Sequence, residues 1–144
     1  QYEHSVRVPW LISGPSIPKG KQNKSPIYLQ DAMATCLDLA EVKTPDYVEF
    51  DSVLPLIKND SHIKKDIYGS YLDAQRMITH DGYKLIIYPQ AKKLRLFNLE
   101  KDPTELHDIS AEAGSKERID KCRAALIKQM DKMGDPLDRK TLTF

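Results

Sequence analysis

Cysteine is scarce in this chain. Its two cysteines, Cys36 and Cys122, each lack a second cysteine at the short spacing of metal-binding pairs. A cysteine-based zinc site is therefore not predicted. Both residues occupy apolar positions of helical patterns, which is typical of buried thiols outside any disulfide. A disulfide between the two is the open alternative.

An excess of charge of either sign is also missing. The chain of 144 residues carries 22 lysines and arginines against 21 aspartates and glutamates, for a net charge of +1. This balance gives no electrostatic reason to expect a nucleic acid or an anionic membrane surface as a partner. The sequence contains no apolar run long enough to span a bilayer. We therefore predict neither nucleic acid nor membrane as a partner.

The familiar signatures of catalytic and metal sites are absent from the sequence. It contains no glycine-rich phosphate loop, no HExxH motif, no nucleophile elbow and no EF-hand loop. Its acidic residues show no spacing that suggests a catalytic dyad or a metal clamp. Composition and spacing alone therefore lead only to the expectation of a part of a soluble α/β protein. Because it lacks an initiator methionine and starts inside a motif, we expect a fragment of a longer protein.

The second half of the chain is predicted to form a four-stranded antiparallel sheet that packs on one long helix. Asp81-Gly82 separates two apolar runs, and this dipeptide suits a type I′ hairpin turn because both residues tolerate positive φ. Apolar residues from about 115 to 133 recur on one face of a helix. The predicted strands are 68–72, 75–79, 83–88 and 94–99.

The first half has a different pattern. Residues 8–12 form a short, nearly continuous apolar run, which is typical of a strand buried on both faces of a parallel sheet. Because the chain offers no parallel partner, we expect this strand to complete a sheet that belongs to missing sequence. Residues 28–39 show the 3.6 period of a helix. A short helical turn is predicted at 53–57 and a polar loop at 59–66.

Two further local features are predicted beside the sheet and the long helix. Asp102, Pro103 and Glu105 have the spacing of a capping box that opens a short helical turn. The polar residues 135–144 are expected to form a tail that lies on the surface or frays.

Four motifs resemble one family when they are taken together and in order. Residues 2–9 read Tyr-Glu-His-Ser-Val-Arg-Val-Pro and precede an apolar run and Gly14-Pro15. With the segments 27–40, 76–86 and 96–109, they resemble the type I sulfatases, the formylglycine-dependent sulfuric ester hydrolases of the alkaline phosphatase superfamily. The match covers residues 1 to about 110, and any one motif alone would be weak.

The resemblance implies a two-part protein of the α/β (α+β) class. The large part carries the chemistry, and the small C-terminal part is a four-stranded antiparallel sheet with one long helix. Residues 1–60 would then be the end of the large part, a strand plus a helix. Residues 61–144 would be the C-terminal subdomain.

The resemblance also implies what this chain does not carry. The family's formylglycine forms from a C/S-x-P/A-x-R motif, which neither Cys36 nor Cys122 starts. The family's calcium ligands, catalytic histidine and sulfate-binding lysine lie upstream. We therefore expect calcium and formylglycine in the full-length parent, none in this chain, and no activity from the chain alone. A periplasmic or extracellular parent fits the family.

Three residues are candidates for substrate binding. His4 follows the expected position of the missing lysine, so it either faces the sulfate or sugar-side pocket or only bonds its own loop. Tyr71 and Arg76 end predicted strands, and they either form a pocket rim or serve packing and salt bridges. The other histidines, His62, His80 and His107, are predicted to be surface or structural residues.

The leading hypothesis is the C-terminal part of a sulfatase that hydrolyses sulfate esters, with sulfated carbohydrate as a candidate substrate class. The chain would supply pocket wall and support. Alternatives are a fragment of a related phosphodiesterase or phosphonate hydrolase, or a stand-alone binding module without catalysis. An unpaired strand and an uncovered helix face would also favour self-association of the fragment.

Overall fold

A computed structural model describes residues 1–58 and 65–144. They form two compact units. The sheet unit comprises Gln1–Pro9 and Asp66–Phe144, and the helical unit comprises Trp10–Lys65. In chain order the elements are α1 (Glu3–Val6), α2 (Asp31–Leu39), α3 (Leu54–Lys58), β1 (Ile67–Tyr71), β2 (Gln75–His80), β3 (Tyr83–Tyr88), β4 (Lys93–Asn98), α4 (Ser115–Lys132) and a 3-10 helix (Arg139–Leu142).

The sheet is an antiparallel meander in the order β1-β2-β3-β4. Each predicted strand is present, with ends that differ by at most one residue. Asp81 and Gly82 join β2 to β3 with φ of +48° and +79°. Positive φ at both central residues is what a type I′ turn requires. The predicted hairpin and the α+β fold class are confirmed.

One face of the sheet packs on α4, and we call it the helix face. Strand alternation directs Ile78, Leu85 and Leu96 to this face, where they are fully buried against Leu126 and Met130 of the helix. The predicted helix is confirmed, and it ends just before Gly134, whose φ is +63°. The core of the sheet unit therefore lies between the sheet and α4.

The opposite face is covered in part by the start of the chain, and we call it the N-terminal face. Met77, Ile86 and Phe97 form a second buried cluster there, and Tyr2 packs against it. Residues 1–9 therefore belong to the same compact unit as the sheet. The assignment of residues 1–60 to the end of a large domain stays a prediction.

The contacts that hold the helical unit together lie at the start of α2. This helix begins at Asp31, three residues later than predicted. The buried Asp31 accepts a hydrogen bond from the backbone N–H of Tyr28 (2.8 Å). Thr35 donates to the carbonyl of Asp31 (2.7 Å) and accepts from the N–H of Val53 (3.0 Å). These bonds fix α2 beside the segment that leads into α3. The helical turn predicted at 53–57 is present as α3.

Two expectations for the first half of the chain are wrong. Residues 8–12 form no strand, and Val8 and Leu11 are 66% and 86% exposed. An apolar run becomes a strand only where a neighbour satisfies its backbone, and none of the described strands pairs with it. Cys36 was predicted to be buried but is exposed, whereas Cys122 is buried as predicted. Neither cysteine forms a disulfide.

Two local predictions in the second half are confirmed only in part. A turn is present at Asp102, whose carbonyl accepts a hydrogen bond from the N–H of Glu105 (3.2 Å). The capping box does not form, because Glu105 has φ of +58° and directs its carboxylate into the protein. The tail does not fray: Leu142 is fully buried, and its carbonyl accepts a hydrogen bond from Arg123 Nε (3.1 Å). Most of the polar loop predicted at 59–66, including His62, lies outside the described residues.

Candidate functional site

Lys84 is the most deeply buried charged residue on the N-terminal face of the sheet. Its side chain is fully enclosed, and its Nζ lies 2.5 Å from Glu3 Oε1 and 2.9 Å from Glu105 Oε1. Burying an ammonium group is costly unless carboxylates replace its water. The three residues therefore form one charge network, which joins β3 to α1 and to the loop after β4.

The same network holds the backbone at the start of the chain. The N–H of Glu3 donates to Glu105 Oε2 (2.5 Å), and Lys84 Nζ donates to the carbonyl of Gln1 (3.3 Å). Arg7 adds a longer ion pair to Glu3 Oε2 (3.8 Å). Backbone and side chain of the segment are thus fixed together, and the positive φ of Glu105 serves to aim its carboxylate at this point.

Tyr2 supplies the apolar part of this anchor. Its ring meets Phe97 edge-on, with centroids 5.8 Å apart, and it shares a hydrogen bond with Tyr88. Burial, together with this hydrogen bond, raises the pKa of Tyr88 to about 12. His4 stacks on the Tyr2 ring at 5.8 Å and 14° and is itself exposed. The fixed segment therefore presents an exposed imidazole.

The three residues predicted to bind substrate do not lie on one face of the sheet. Tyr71 is 58% exposed. It lies on the N-terminal face together with Gly69, which precedes it by two residues in β1 and lies beside the Gln1 side chain. Arg76 points to the helix face instead and is buried. His4 and Tyr71 are thus both on the N-terminal side, and Arg76 is not.

Arg76 is bound by the end of the chain. Its Nε and Nη2 donate to the carboxylate of Asp135 (2.6 and 3.0 Å), and its Nη1 donates to the carbonyls of Leu72 and Gln75. The hydroxyl of Tyr68 also donates to Asp135. These contacts favour the salt-bridge alternative for Arg76. Direct contact of Arg76 or Tyr71 with substrate stays a prediction.

Sequence reasoning missed Lys84 and Glu105. One signal was available: Lys84 alternates onto the same face as Ile86 and Tyr88, and a lysine on an apolar face calls for a carboxylate partner. Nothing in the local pattern indicates which carboxylate that would be.

The described residues do not fit a calcium site. Residues 1–58 and 65–144 contain no group of three or more histidine, cysteine, aspartate or glutamate side chains that would hold a metal ion. His80 Nδ1 lies 2.8 Å from Asp66 Oδ1, and the exposed His107 has a single carboxylate, Asp102, at 3.8 Å. A pair of this kind offers fewer than the six or more oxygens that calcium takes. No helix in the described part is both long and apolar enough to cross a membrane.

The comparisons with known proteins agree on one family. Residues 1–133 match the model of the N-sulphoglucosamine sulphohydrolase C-terminal family. The chain belongs to this sulfatase family. It is 36% identical over 138 residues to an arylsulfatase of Clostridium perfringens, covering 90% of this chain and 29% of that protein. It is 28% identical over 143 residues to arylsulfatase K of Xenopus laevis, covering 88% of this chain and 27% of that protein.

A solved structure supports the fold of this sulfatase C-terminal portion. It is described as a protein in complex with its substrate, D-glucosamine-2-N,6-O-disulfate. It superposes on this chain with a TM-score of 0.66 at 20% sequence identity. The matched region covers 74% of this chain and 24% of that protein. The matched part of this chain spans less than a third of the length of each of these three proteins.

Proposed function

We propose that this chain is the C-terminal portion of a sulfuric ester hydrolase and that it supplies a wall of the substrate pocket rather than the reactive centre. The supporting observation is the fixed segment 2–7, which matches the family and carries the exposed His4 on the sheet's N-terminal side. In this proposal His4 contacts substrate, Tyr71 contributes to the rim, and Arg76 supports the rim from the helix face.

The nucleophile would come from the preceding part of the parent. Neither Cys36 nor Cys122 starts the motif from which formylglycine forms, and the described side chains do not gather around a metal position. When a sulfate ester is cleaved, negative charge develops in the transition state, and cations must be held around that charge. The proposal therefore assigns this chain a supporting role and places that set of cations in the preceding part of the parent.

We propose sulfated carbohydrate as the substrate class. The support is the solved relative whose description names a sulfated glucosamine as its substrate. An exposed imidazole and an exposed phenol, here those of His4 and Tyr71, are suited to contact sugar hydroxyls and ring faces.

The test compares the complete parent with the isolated chain. Both are assayed with calcium on 4-nitrophenyl sulfate and on glucosamine 2-N- and 6-O-sulfates, with released sulfate measured. We expect activity from the parent and none above buffer from residues 1–144. Sulfate release by the isolated chain would refute its supporting role.

The same assay separates the alternative hydrolases. A parent that leaves every sulfate ester intact but cleaves a phosphonate monoester or a phosphodiester would replace the sulfatase proposal with that activity. If the parent prefers the aryl sulfate to every sulfated sugar, the proposed carbohydrate substrate class is refuted and the sulfatase proposal is retained.

A further inference from the structure

Helix α1 is too short to be stable by itself. It has four residues, Glu3–Val6, and none of them is buried. An isolated helix of this length is far below the size at which propagation offsets nucleation. Its conformation must therefore come from contacts with the sheet unit.

Those contacts are concentrated on the residues immediately before His4. Tyr2 is held by aromatic packing, and Glu3 is held twice, by its carboxylate on Lys84 and by its N–H on Glu105. The imidazole of His4 stacks on the Tyr2 ring. The direction of its imidazole therefore depends on the two residues before it.

Lys84 is the centre of this arrangement. Its ammonium group contacts both carboxylates, and its own side chain is fully enclosed while that of Glu3 is 18% exposed. Without the ammonium group, two carboxylates would face each other in a buried site, and their repulsion would drive Glu3 away from the sheet. The turn that carries His4 would move with it.

We propose that Lys84 is a positioning residue for the hydrolase reaction and that it acts on substrate through His4. This inference rests on the proposed function. It goes further in giving a role to a buried strand residue that does not touch substrate. Placing a contacting group correctly is worth a large factor in rate, so a small shift of the segment has a measurable cost.

A double-mutant cycle in the complete parent tests the inference. The variants are Lys84→Met, His4→Ala and the combination, with kcat and KM measured on the best sulfate ester. We expect each single change to lower kcat/KM about tenfold and the combination to lower it about tenfold as well, because both changes remove the same contact. Independent losses that multiply to about a hundredfold would overturn the proposal.

Two further variants provide a control and a substitute for Lys84→Met. Lys93→Met on β4 removes an exposed lysine and should leave kcat/KM unchanged. Glu3→Gln weakens the tether while Lys84 keeps Glu105, so it serves if Lys84→Met does not fold. Glu3→Gln should then show the same non-additivity with His4→Ala, and unaltered kinetics in a folded Glu3→Gln variant would refute the role.

Failure of the positioning role can be distinguished from failure of the proposed function. A wild-type parent without activity on any sulfate ester refutes the function. An active parent with a multiplicative cycle refutes only the positioning role.

Discussion

Arg76 and Asp135 form a buried, two-point ion pair between strand β2 and the residue after Gly134. Nε of Arg76 lies 2.6 Å from Oδ2, Nη2 lies 3.0 Å from Oδ1, and both side chains are 4% exposed. The planar guanidinium matches the carboxylate in both bonds. This pair ties the end of α4 to the first hairpin of the sheet.

Breaking this pair should destabilise the chain strongly. Arg76→Met leaves Asp135 buried without its guanidinium partner, while the donors Tyr68 and Leu137 N–H remain. Removal of one partner from a buried ion pair costs about 3–5 kcal/mol. Urea unfolding followed by circular dichroism measures the change. The control is Asp131→Asn, which loses the exposed pair to Arg139 and should cost less than about 1 kcal/mol. Equal losses in the two variants would contradict this reading of Arg76.

Acid should weaken the same contact. Burial by itself raises the pKa of Asp135, but hydrogen bonds from Arg76, Tyr68 and the N–H of Leu137 outweigh burial and lower the pKa to about 2. Because folding lowers the pKa of Asp135, its ionised carboxylate stabilises the folded state above about pH 4, near the pKa of the unfolded chain. This stabilisation is lost as the pH falls towards 2. The loss is about 2 kcal/mol. Urea midpoints between pH 5 and 2 should fall more steeply for the wild type than for Asp135→Asn, and parallel curves would refute the assignment.

At high pH, two tyrosines should ionise late. Burial is the first cause that raises the pKa of Tyr68 and of Tyr88 to about 12, and each also has a hydrogen-bonded partner. A raised pKa means that the folded state favours the protonated phenol, so stability is present below pH 10 and is lost as pH rises through 12. Absorbance at 295 nm should show a late phase that shrinks in Tyr68→Phe and in Tyr88→Phe. A late phase of equal size in the wild type and in both variants would contradict this assignment.

The β2–β3 turn should depend on glycine at position 82. Gly82 has φ of +79°, and a Cβ there would lie 3.0 Å from Oε1 of Glu100. Gly82→Ala should therefore cost about 1 kcal/mol of unfolding free energy in the same urea assay. Gly14→Ala, where a Cβ would lie 3.9 Å from Cγ1 of Ile17, should stay within about 0.5 kcal/mol of the wild type.

The two thiols should react at different rates. Cys36 is exposed, whereas burial and the nearby charges of Asp66 and Asp81 raise the pKa of Cys122 to about 11. Because the thiolate is the reactive form, a thiol-disulfide reagent should titrate one thiol rapidly in the native chain and the second only in denaturant. Cys36→Ser should abolish the rapid phase, and persistence of that phase would contradict the burial of Cys122.

Much of the sheet unit could be predicted because its determinants are local. The Asp81-Gly82 turn, the alternation along β3 and the apolar face of α4 each lie within a short window of sequence. The run at 8–12 shows the limit of this reasoning, because its apolar composition predicted a strand and no described strand pairs with it.

The candidate site could be predicted only in part, for a physical reason. His4 was found because its neighbours match a family motif, but the groups that hold it were not. Glu3 and Glu105 are 102 positions apart, and Lys84 and Gln1 are 83 apart. Contacts over such separations leave no periodic trace in the sequence, and the folded meander is what brings these residues together.

The enclosure of Lys84 also makes it an internal reporter. Reagents that acylate lysines need an amine in contact with solvent, and this one has none while Glu3 and Glu105 surround it. Mass spectrometry of acylated peptides would therefore find residue 84 unlabelled in intact molecules and labelled in those whose first residues have detached. The extent of that single modification would measure, without any substrate, how firmly the beginning of the chain is seated.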